Sequence, residues 1–465
     1  MVKEDFLHYL WKLQIHKEAS LVCSDGSDVV VVSPGLHNLN AGPDFFNAKL
    51  LINGQLWAGN VELHVKSSDW YVHAHELDTN YDNVILHVVW EHDMTVFNAN
   101  NRPIPTLVLP DFVPTSLLQR YATLMQEKSC WISCEPQLGS VNKHLIQLCL
   151  ERMYIERLEV KTQRMSNRLK FLNNDWEGLM FETIARSFGL NVNADAFESL
   201  AQQVGISRLR KVQHRCLSLE ALLFGQSGML NEELHIPYYG QLQNEFHHLT
   251  TTLKLTQTCA IPFQFFRLRP PNFPTLRIAQ LCALYHKEPR LFSKLMEATD
   301  LTDYYRLFDI NVSTFWKTHF SFKAKAKSSA KKLTIEFISL VLINTVIPIK
   351  FLYLNYLGRF DPAQLLKTMR QLKPEQNKII TKFKALGVSP VNALESQGLL
   401  HLRNEYCKPK ACLKCPIGSK LITLKKGGWV DIYLRKFASN PMKRNRDCYE
   451  EISLNHYPYT DHLRL

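Results

Sequence analysis

The chain has 465 residues, of which 46% are hydrophobic and 21% are charged, and its 55 basic and 43 acidic side chains give a net charge of +12. This composition excludes a disordered or fibrous protein, and the length predicts two to four domains of roughly 100–200 residues. Residues 1–115 carry 6 basic and 14 acidic side chains, whereas the remainder has a net charge of +20. An acidic N-terminal domain followed by a basic body is therefore expected.

The first 115 residues combine one helical pattern with four strand-like segments. Apolar residues at three- and four-residue spacing from Phe6 to Leu13 predict a helix. Strands are predicted at 28–33, 45–52, 56–66 and 84–91, with a tight hairpin at Asn53-Gly54. A short helical connection precedes the last strand, and four prolines between 103 and 114 predict a linker. Residues 1–115 should thus form an α/β domain of helix, three strands, helix and strand.

The remainder of the chain shows mostly helical patterns. Residues 116–400 are expected to form a basic helical domain, and residues 401–465 form a cysteine-containing C-terminal segment. The most apolar stretch, Leu333–Leu357, contains Glu336 and Lys350 and should be a buried helix that ends near Pro348, not a membrane span. The first twenty residues lack the apolar core of a signal peptide. Eleven cysteines, an odd number, are typical of a reducing compartment, so a cytoplasmic location is expected.

A polar row marks the predicted third strand. Glu62, His64 and Lys66 share one face because side chains alternate along a strand, and Asp44 precedes the partner strand. Two neighbouring carboxylates can hold Mg²⁺, while a histidine or lysine positions or deprotonates the attacking water. A two-residue hairpin loop puts Asp44 on the face opposite to Glu62, whereas a three-residue loop or a single bulge, for which Gly59 is a candidate, sets it across from His64. The hairpin predicts that the two acids are close, and both registers stay open.

Two resemblances follow from these residues. Pro43-Asp44, a gap of seventeen residues and Glu62-x-His64 resemble the motif of the PD-(D/E)xK nuclease superfamily. The resemblance implies a restriction-endonuclease-like domain in which Asp44 and Glu62 hold Mg²⁺ or Mn²⁺. It departs from the superfamily at His64, where lysine is usual, so His64 or Lys66 would assist the water. The segments LNAGPDFFNAKLLINGQLWAGNVELHVKSSDWYVHAH and RPPNFPTLRIAQ are similar to a bacterial family of unknown function.

Four histidines lie within a short stretch after the hairpin: His64, His73, His75 and His87. His73 and His75 project on the same side of an extended segment, as in some zinc sites. They support a rival interpretation, a zinc-dependent hydrolase that acts on something other than nucleic acid. In the nuclease interpretation, His73 and Tyr81 instead border the cleft, where they contact phosphate or orient water.

A cysteine cluster lies near the C-terminus. Cys407, Cys412 and Cys415 form a Cys-x4-Cys-x2-Cys pattern flanked by lysines, which favours a metal-bound cysteine knuckle with a structural role. Residues 400–418 also resemble the cysteine loop of endonuclease-III-type DNA glycosylases, which hold an iron–sulfur cluster. Zinc and an iron–sulfur cluster both stay open. Candidates for the fourth ligand are His401, Cys448 and Cys23.

Arginines and aromatic residues alternate in one proline-stiffened loop of the basic body. Arg267, Arg269 and Arg277 lie there among phenylalanines, a composition that suits phosphate contact and base stacking. Together with the +20 charge it favours nucleic acid as the partner. The expected function is a divalent-metal-dependent nuclease that hydrolyses phosphodiester bonds in DNA or RNA. The alternative is a catalytically degenerate nucleic-acid-binding or scaffold protein on the same fold.

Overall fold

The computed structural model describes residues 2–15, 20–126, 130–255, 261–359 and 362–423. The chain divides into two compact units. Unit 1 comprises Met1–Ile146 and Asn404–Leu465, and unit 2 comprises Gln147–Arg403. The expected division into an α/β region followed by a larger, mostly helical region is confirmed. Cys448 and most of the predicted C-terminal segment lie outside the described residues.

Unit 1 is built on a seven-stranded mixed sheet. Its strands β1 to β7 are, in chain order, Leu21–Val22, Asp28–Ser33, Leu36–His37, Phe45–Ile52, Gln55–Lys66, Val84–Glu91 and Thr106–Val108. The spatial order is β1-β2-β4-β5-β6-β7, and β3 pairs with β4. Neighbours from β1 to β5 are antiparallel, whereas β6 is parallel to β5 and β7 is parallel to β6.

The proline-rich stretch that was predicted to be a linker contains β7, so this prediction is wrong. Pro103 and Pro105 precede the strand and Pro110 follows it. The N–H groups of Thr106–Val108 therefore stay available for the sheet, and β7 pairs with β6. The proline content alone did not indicate that the three residues Thr106–Val108, between Pro105 and Pro110, form a strand that pairs with β6.

Nineteen α-helices are present in the described residues. In chain order, α1 to α19 are Glu4–Lys12, Asp69–Val72, Thr115–Met125, Lys143–Phe171, Trp176–Phe188, Ala194–Val204, Ile206–Val212, Cys216–Gln226, Pro237–Thr252, Pro274–Lys287, Leu291–Glu297, Leu301–Leu307, Thr314–Lys317, Ile335–Val341, Ile347–Tyr356, Pro362–Gln371, Lys378–Ala385, Ala393–His401 and Pro416–Thr423. Short 3₁₀ turns occupy His75–Leu77, Thr79–Tyr81, Leu109–Phe112, Glu135–Ser140 and Pro270–Asn272, and π-helical segments occupy Leu342–Val346 and Leu402–Cys407.

The first and the last of the described helices both pack in unit 1. In α1 the apolar face is buried and contacts β5. The Tyr9 hydroxyl lies 2.9 Å from Ser419 Oγ on α19, and Arg120 Nε on α3 donates to the carbonyl of Ile422 at 2.6 Å. The C-terminal helix α19 therefore belongs to the same packed structure as the N-terminal sheet.

The core of unit 2 is one large apolar cluster. Phe224 stacks on Trp316 within it, with ring centroids 5.2 Å apart. The apolar stretch around α14 and α15 is long enough to cross a membrane, but 72% of its most apolar window is buried, as in a core helix of a soluble protein. It does not end near Pro348 as expected. The π-helical segment Leu342–Val346 precedes the proline and lets the helix continue to Tyr356, because the wider turn accommodates the missing N–H.

Candidate functional site

The hairpin β4–β5 decides which side chains meet. Asn53 and Gly54 both have positive φ angles, 49° and 79°, and Ile52 pairs with Gln55, as expected for a two-residue Asn-Gly turn. This register continues until Ala48 pairs with Gly59, but Phe45 then pairs with Val61. One extra residue therefore lies in β4, so that the strand has a bulge.

Asn47 forms the bulge. Its φ of 54° is left-handed, a conformation that asparagine tolerates better than most residues, and its N–H donates to Asn60 Oδ1 at 3.3 Å. The bulge lies in β4 and not at Gly59. A Cβ on Gly59 would approach Ile85 Cγ2 to 2.5 Å, so this glycine allows close packing against β6. Because of the extra residue, Asp44 comes beside Glu62, a register that neither expected alternative contained.

Asp44 and Glu62 are held by reciprocal main-chain hydrogen bonds. The Asp44 N–H donates to Glu62 Oε2 at 3.0 Å, and the Leu63 N–H donates to Asp44 Oδ2 at 3.0 Å. His8 on α1 adds a third contact, since its Nε2 lies 3.0 Å from Asp44 Oδ2. The two acids are thus fixed side by side at the start of β4 and within β5.

Two imidazoles approach the other oxygen of Glu62, and a third lies beside one of them. His75 Nε2 lies 3.3 Å and His64 Nε2 lies 3.6 Å from Glu62 Oε1. His64 Nε2 also lies 3.1 Å from His73 Nδ1. One donor atom from each of the three histidines lies within 4.8 Å of the others. Ala74, with a φ of 56°, turns the chain between His73 and His75 so that both rings face the strand.

A second layer of side chains orients these rings. The parallel pairing of β5 with β6 sets Glu62 beside His87. His64 Nδ1 and His87 Nε2 form a hydrogen bond of 2.9 Å, which directs the other nitrogen of His64 towards Glu62. The His75 ring stacks on Tyr81 with 3.8 Å between centroids, and Trp70 meets it edge-on at 5.3 Å.

Burial sets the charge states of the cluster. Burial lowers the pKa of His64 to about 2, with further contributions from its histidine neighbours, and lowers the pKa of His87 to about 3. Both imidazoles are therefore neutral near pH 7. Burial also raises the pKa of Glu62. At His8 burial disfavours the cation, but the hydrogen bond and charge of Asp44 outweigh it and raise the pKa.

The donor set fits a transition-metal ion better than Mg²⁺. Neutral imidazole nitrogens suit zinc, copper, iron and nickel, whereas Mg²⁺ prefers oxygen ligands and water. His75 Nε2 is buried and makes no well-oriented hydrogen bond, although Glu62 lies nearby, so it has a donor site left for a ligand. Glu62, His64, His73 and His75 are the residues that could hold such an ion, with His87 as an outer partner of His64.

The structure separates Lys66 from this cluster. Its Nζ lies 3.5 Å from Glu91 Oε1, and 49% of its side chain is exposed, whereas only 1% of the His64 side chain is exposed. Two further groups that sequence reasoning missed come from α1. His8 contacts Asp44, and Glu4 has a pKa raised by burial and by the charge of Asp44. The four-residue spacing of Glu4 and His8 on one helix face was the available signal.

The three arginines of the basic body lie in different environments. Arg267 and Arg269 are exposed, and the guanidinium of Arg267 lies 5.0 Å from the ring centre of Phe266. Arg277 is buried, lies 3.8 Å from the ring centre of Phe337 and donates to Asn272 Oδ1 at 2.8 Å. Burial lowers its pKa to about 10. Arg277 therefore forms part of the interior of unit 2, and two arginines remain for a ligand.

The three C-terminal cysteines surround one cavity of unit 1. Cys407, Cys412 and Cys415 line it together with Cys134, which sequence reasoning did not select. Of the candidates for a fourth ligand, Cys23 and His401 do not line the cavity, and Cys448 lies outside the described residues.

The comparisons with known proteins identify a family. No curated protein and no solved structure matches the chain. Residues 4–378 match the family described as "Protein of unknown function (DUF2851)", which covers the sheet, its histidine cluster and most of unit 2. The chain therefore belongs to this DUF2851 family.

Proposed function

We propose that the protein is a divalent-metal-dependent nuclease whose metal is held by Glu62, His64, His73 and His75. The observation that carries the proposal is the grouping of three imidazole nitrogens, two of which lie within 3.6 Å of Glu62 Oε1. Sites of this composition activate water and stabilise developing negative charge, and both are needed to hydrolyse a phosphodiester.

The arrangement of strands supports the choice of substrate. The order of α1, then β2, β4 and β5, then α2 and β6, with β6 parallel to β5, is the order that the PD-(D/E)xK resemblance implies. In that resemblance, Asp44 and Glu62 would correspond to the acidic pair of the superfamily, and their side-by-side placement supports this. The exposed Arg267 and Arg269 and the +20 charge of residues 116–465 favour a polyanionic partner.

The residues around the cluster have distinct roles in this proposal. A bound metal ion would supply Lewis-acid chemistry. Asp44 Oδ2 lies 3.0 Å from His8 Nε2 and raises the pKa of this histidine, which favours the protonated form that would donate a proton to a leaving oxygen. His87 keeps His64 in one orientation, and the rings of Trp70 and Tyr81 fix His75.

A second candidate function is a zinc-dependent hydrolase that acts on a substrate other than nucleic acid. The three imidazoles within 4.8 Å of one another favour it, because three histidine ligands are typical of catalytic zinc sites. Mn²⁺ and Zn²⁺ also have more support than Mg²⁺ as the bound ion, since the proposed ligands are three imidazoles and one carboxylate.

The test uses the full-length protein freed of metal and reloaded with Mg²⁺, Mn²⁺ or Zn²⁺. Single- and double-stranded DNA and RNA are offered as substrates. Glu62→Gln and His75→Gln should lower cleavage by more than the roughly 10–100-fold that loss of an outer partner costs. Asp82→Asn and His214→Gln are matched controls, since both residues are exposed, and they should cleave like the unaltered protein.

Three results would count against the nuclease. Equal cleavage by Glu62→Gln refutes the site. Salt-sensitive binding without turnover in any metal points to the degenerate nucleic-acid-binding or scaffold protein. Stoichiometric zinc that is lost in His75→Gln, with turnover only of generic ester substrates, points to the second hydrolase.

A further inference from the structure

Four cysteines from two distant parts of the sequence line one cavity of unit 1. The residues that line it are Ile132, Ser133, Cys134, Tyr406, Cys407, Cys412, Cys415 and Gly418. Cys134 directly precedes the 3₁₀ turn Glu135–Ser140, whereas the other three lie more than 270 residues later. Two segments that are far apart in the sequence thus contribute cysteines to the same apolar cavity. A chance grouping of thiols does not explain this arrangement.

The thiols are buried and affect one another electrostatically. Burial and the charges of Cys415 and Cys412 together raise the pKa of Cys134 to about 12. Burial also raises the pKa of Cys412, while a hydrogen bond from Ser133 and the charge of Lys410 act in the opposite direction. A bound metal ion would displace the protons of these thiols, because the thiolate is the form that binds a metal.

The local backbone is shaped to present Cys412 and Cys415. The Cys415 N–H donates to the carbonyl of Cys412 at 3.2 Å, and α19 begins at the next residue, Pro416. The positive end of this helix therefore lies beside a thiol, where it favours the thiolate. A Cβ on Gly418 would lie 2.2 Å from the Cys412 carbonyl oxygen, so only glycine permits the helix to pack so closely on the cysteine turn.

The spacing of the sulfur atoms indicates the size of the ligand. A zinc ion with Zn–S bonds of ~2.3 Å holds four sulfurs about 3.8 Å apart. Among the residues that the structure describes, the only three metal-ligating side chains with donor atoms all within 4.8 Å of one another are the histidines of the N-terminal cluster. No three of the cavity cysteines thus have sulfur atoms that are all as close to one another as a zinc ion would hold them. In a [4Fe–4S] cluster each thiolate binds a different iron, which spreads the four ligands around a larger body.

We propose that Cys134, Cys407, Cys412 and Cys415 bind one [4Fe–4S] cluster, with Cys134 as the fourth ligand. The cluster joins the segment around Cys134 to the turn that begins α19. It is independent of the metal at Glu62, so the two proposals can fail separately. Its role is structural, because α19 contacts Tyr9 and Arg120 and so connects the cysteine turn to α1 and α3.

The first experiment measures the cofactor itself. Full-length protein purified without oxygen should contain close to four iron and four acid-labile sulfide per chain and show the visible absorption of sulfur-to-iron charge transfer. Cys134→Ser should lose most of the iron and sulfide. Cys130→Ser is the matched control, because Cys130 is four residues away and does not line the cavity, and it should keep both.

A second measurement needs no variant and so does not depend on the folding of Cys134→Ser. In the native protein, alkylation should spare the four cluster cysteines, and oxidative loss of iron should make all four reactive. One equivalent of zinc without iron or sulfide overturns the cluster. Alkylation of Cys134 in the iron-loaded protein, or equal iron loss in Cys130→Ser, overturns its role as the fourth ligand.

Discussion

Glu220 on α8 is a buried acid whose ionisation should weaken unit 2. The residue is fully buried, and burial raises the pKa of its carboxyl from 4.5 to about 7. The Tyr238 hydroxyl donates to Glu220 Oε2, and the Ser313 hydroxyl donates to the same oxygen at 3.4 Å. These hydroxyls do not replace the water that an ionised carboxylate loses, so the charged form remains unfavourable.

The direction in which stability changes with pH follows from the number of protons bound by the folded and the unfolded chain. The native pKa is raised, so the folded chain holds more protons than the unfolded chain between pH 4.5 and pH 7. Stability therefore falls as the pH rises through this window, and the full loss is present above it. A shift from 4.5 to about 7 corresponds to about 3 kcal/mol at 1.36 kcal/mol per pH unit.

The perturbation is Glu220→Gln, which removes the titration and keeps most of the shape. At each pH, the free energy of unfolding of the unaltered protein is subtracted from that of the variant. This difference should rise by about 3 kcal/mol as the pH increases from 4.5 to 8. Urea unfolding followed by circular dichroism measures both free energies, and Glu233→Gln, at an exposed position, is the control. A difference between variant and unaltered protein that does not change with pH would refute the reasoning.

Three further predictions concern the hairpin and the basic loop. Gly59→Ala forces a Cβ against Ile85 and should cost about 1–3 kcal/mol of unfolding free energy in urea; an unchanged midpoint contradicts the packing. Asn47→Ala should cost about 1–2 kcal/mol and weaken metal binding in calorimetry, whereas Asn47→Gly keeps both, because the bulge needs a left-handed residue. The combined change Arg267→Ala and Arg269→Ala should reduce the salt slope of duplex DNA binding by about 1.8, while Arg290→Ala leaves it unchanged.

Local signals account for the parts of the fold that the sequence predicted. The Asn53-Gly54 turn and the alternation in β4 and β5 depend only on neighbouring residues, and both elements appear where they were expected. The bulge at Asn47 was not predictable, because no glycine marks it and its stabilising contact comes from Asn60 on the other strand.

Long-range packing decided the rest of the candidate sites. Lys66 was expected beside His64, but the end of β5 is open to solvent and Glu91 on the neighbouring strand pairs with it. Cys134 escaped selection because the other three cavity cysteines lie more than 270 residues later in the sequence. Arg277 lies eight residues after Arg269 in the same stretch of arginines and phenylalanines, but it lies inside α10 and is buried.

The division of the chain has a consequence for biosynthesis. Unit 1 is discontinuous, because α19 and three of the four cavity cysteines follow the whole of unit 2 in the sequence. At roughly 5–20 residues per second, the ribosome needs about 10–50 s to make unit 2 after it has finished the sheet. During that interval the surfaces of α1 and α3 that later receive α19 stay uncovered in the nascent chain. A ribosome-bound chain stopped before Asn404 should therefore recruit chaperones through these surfaces, and a truncated N-terminal fragment should be a poor substitute for the whole protein.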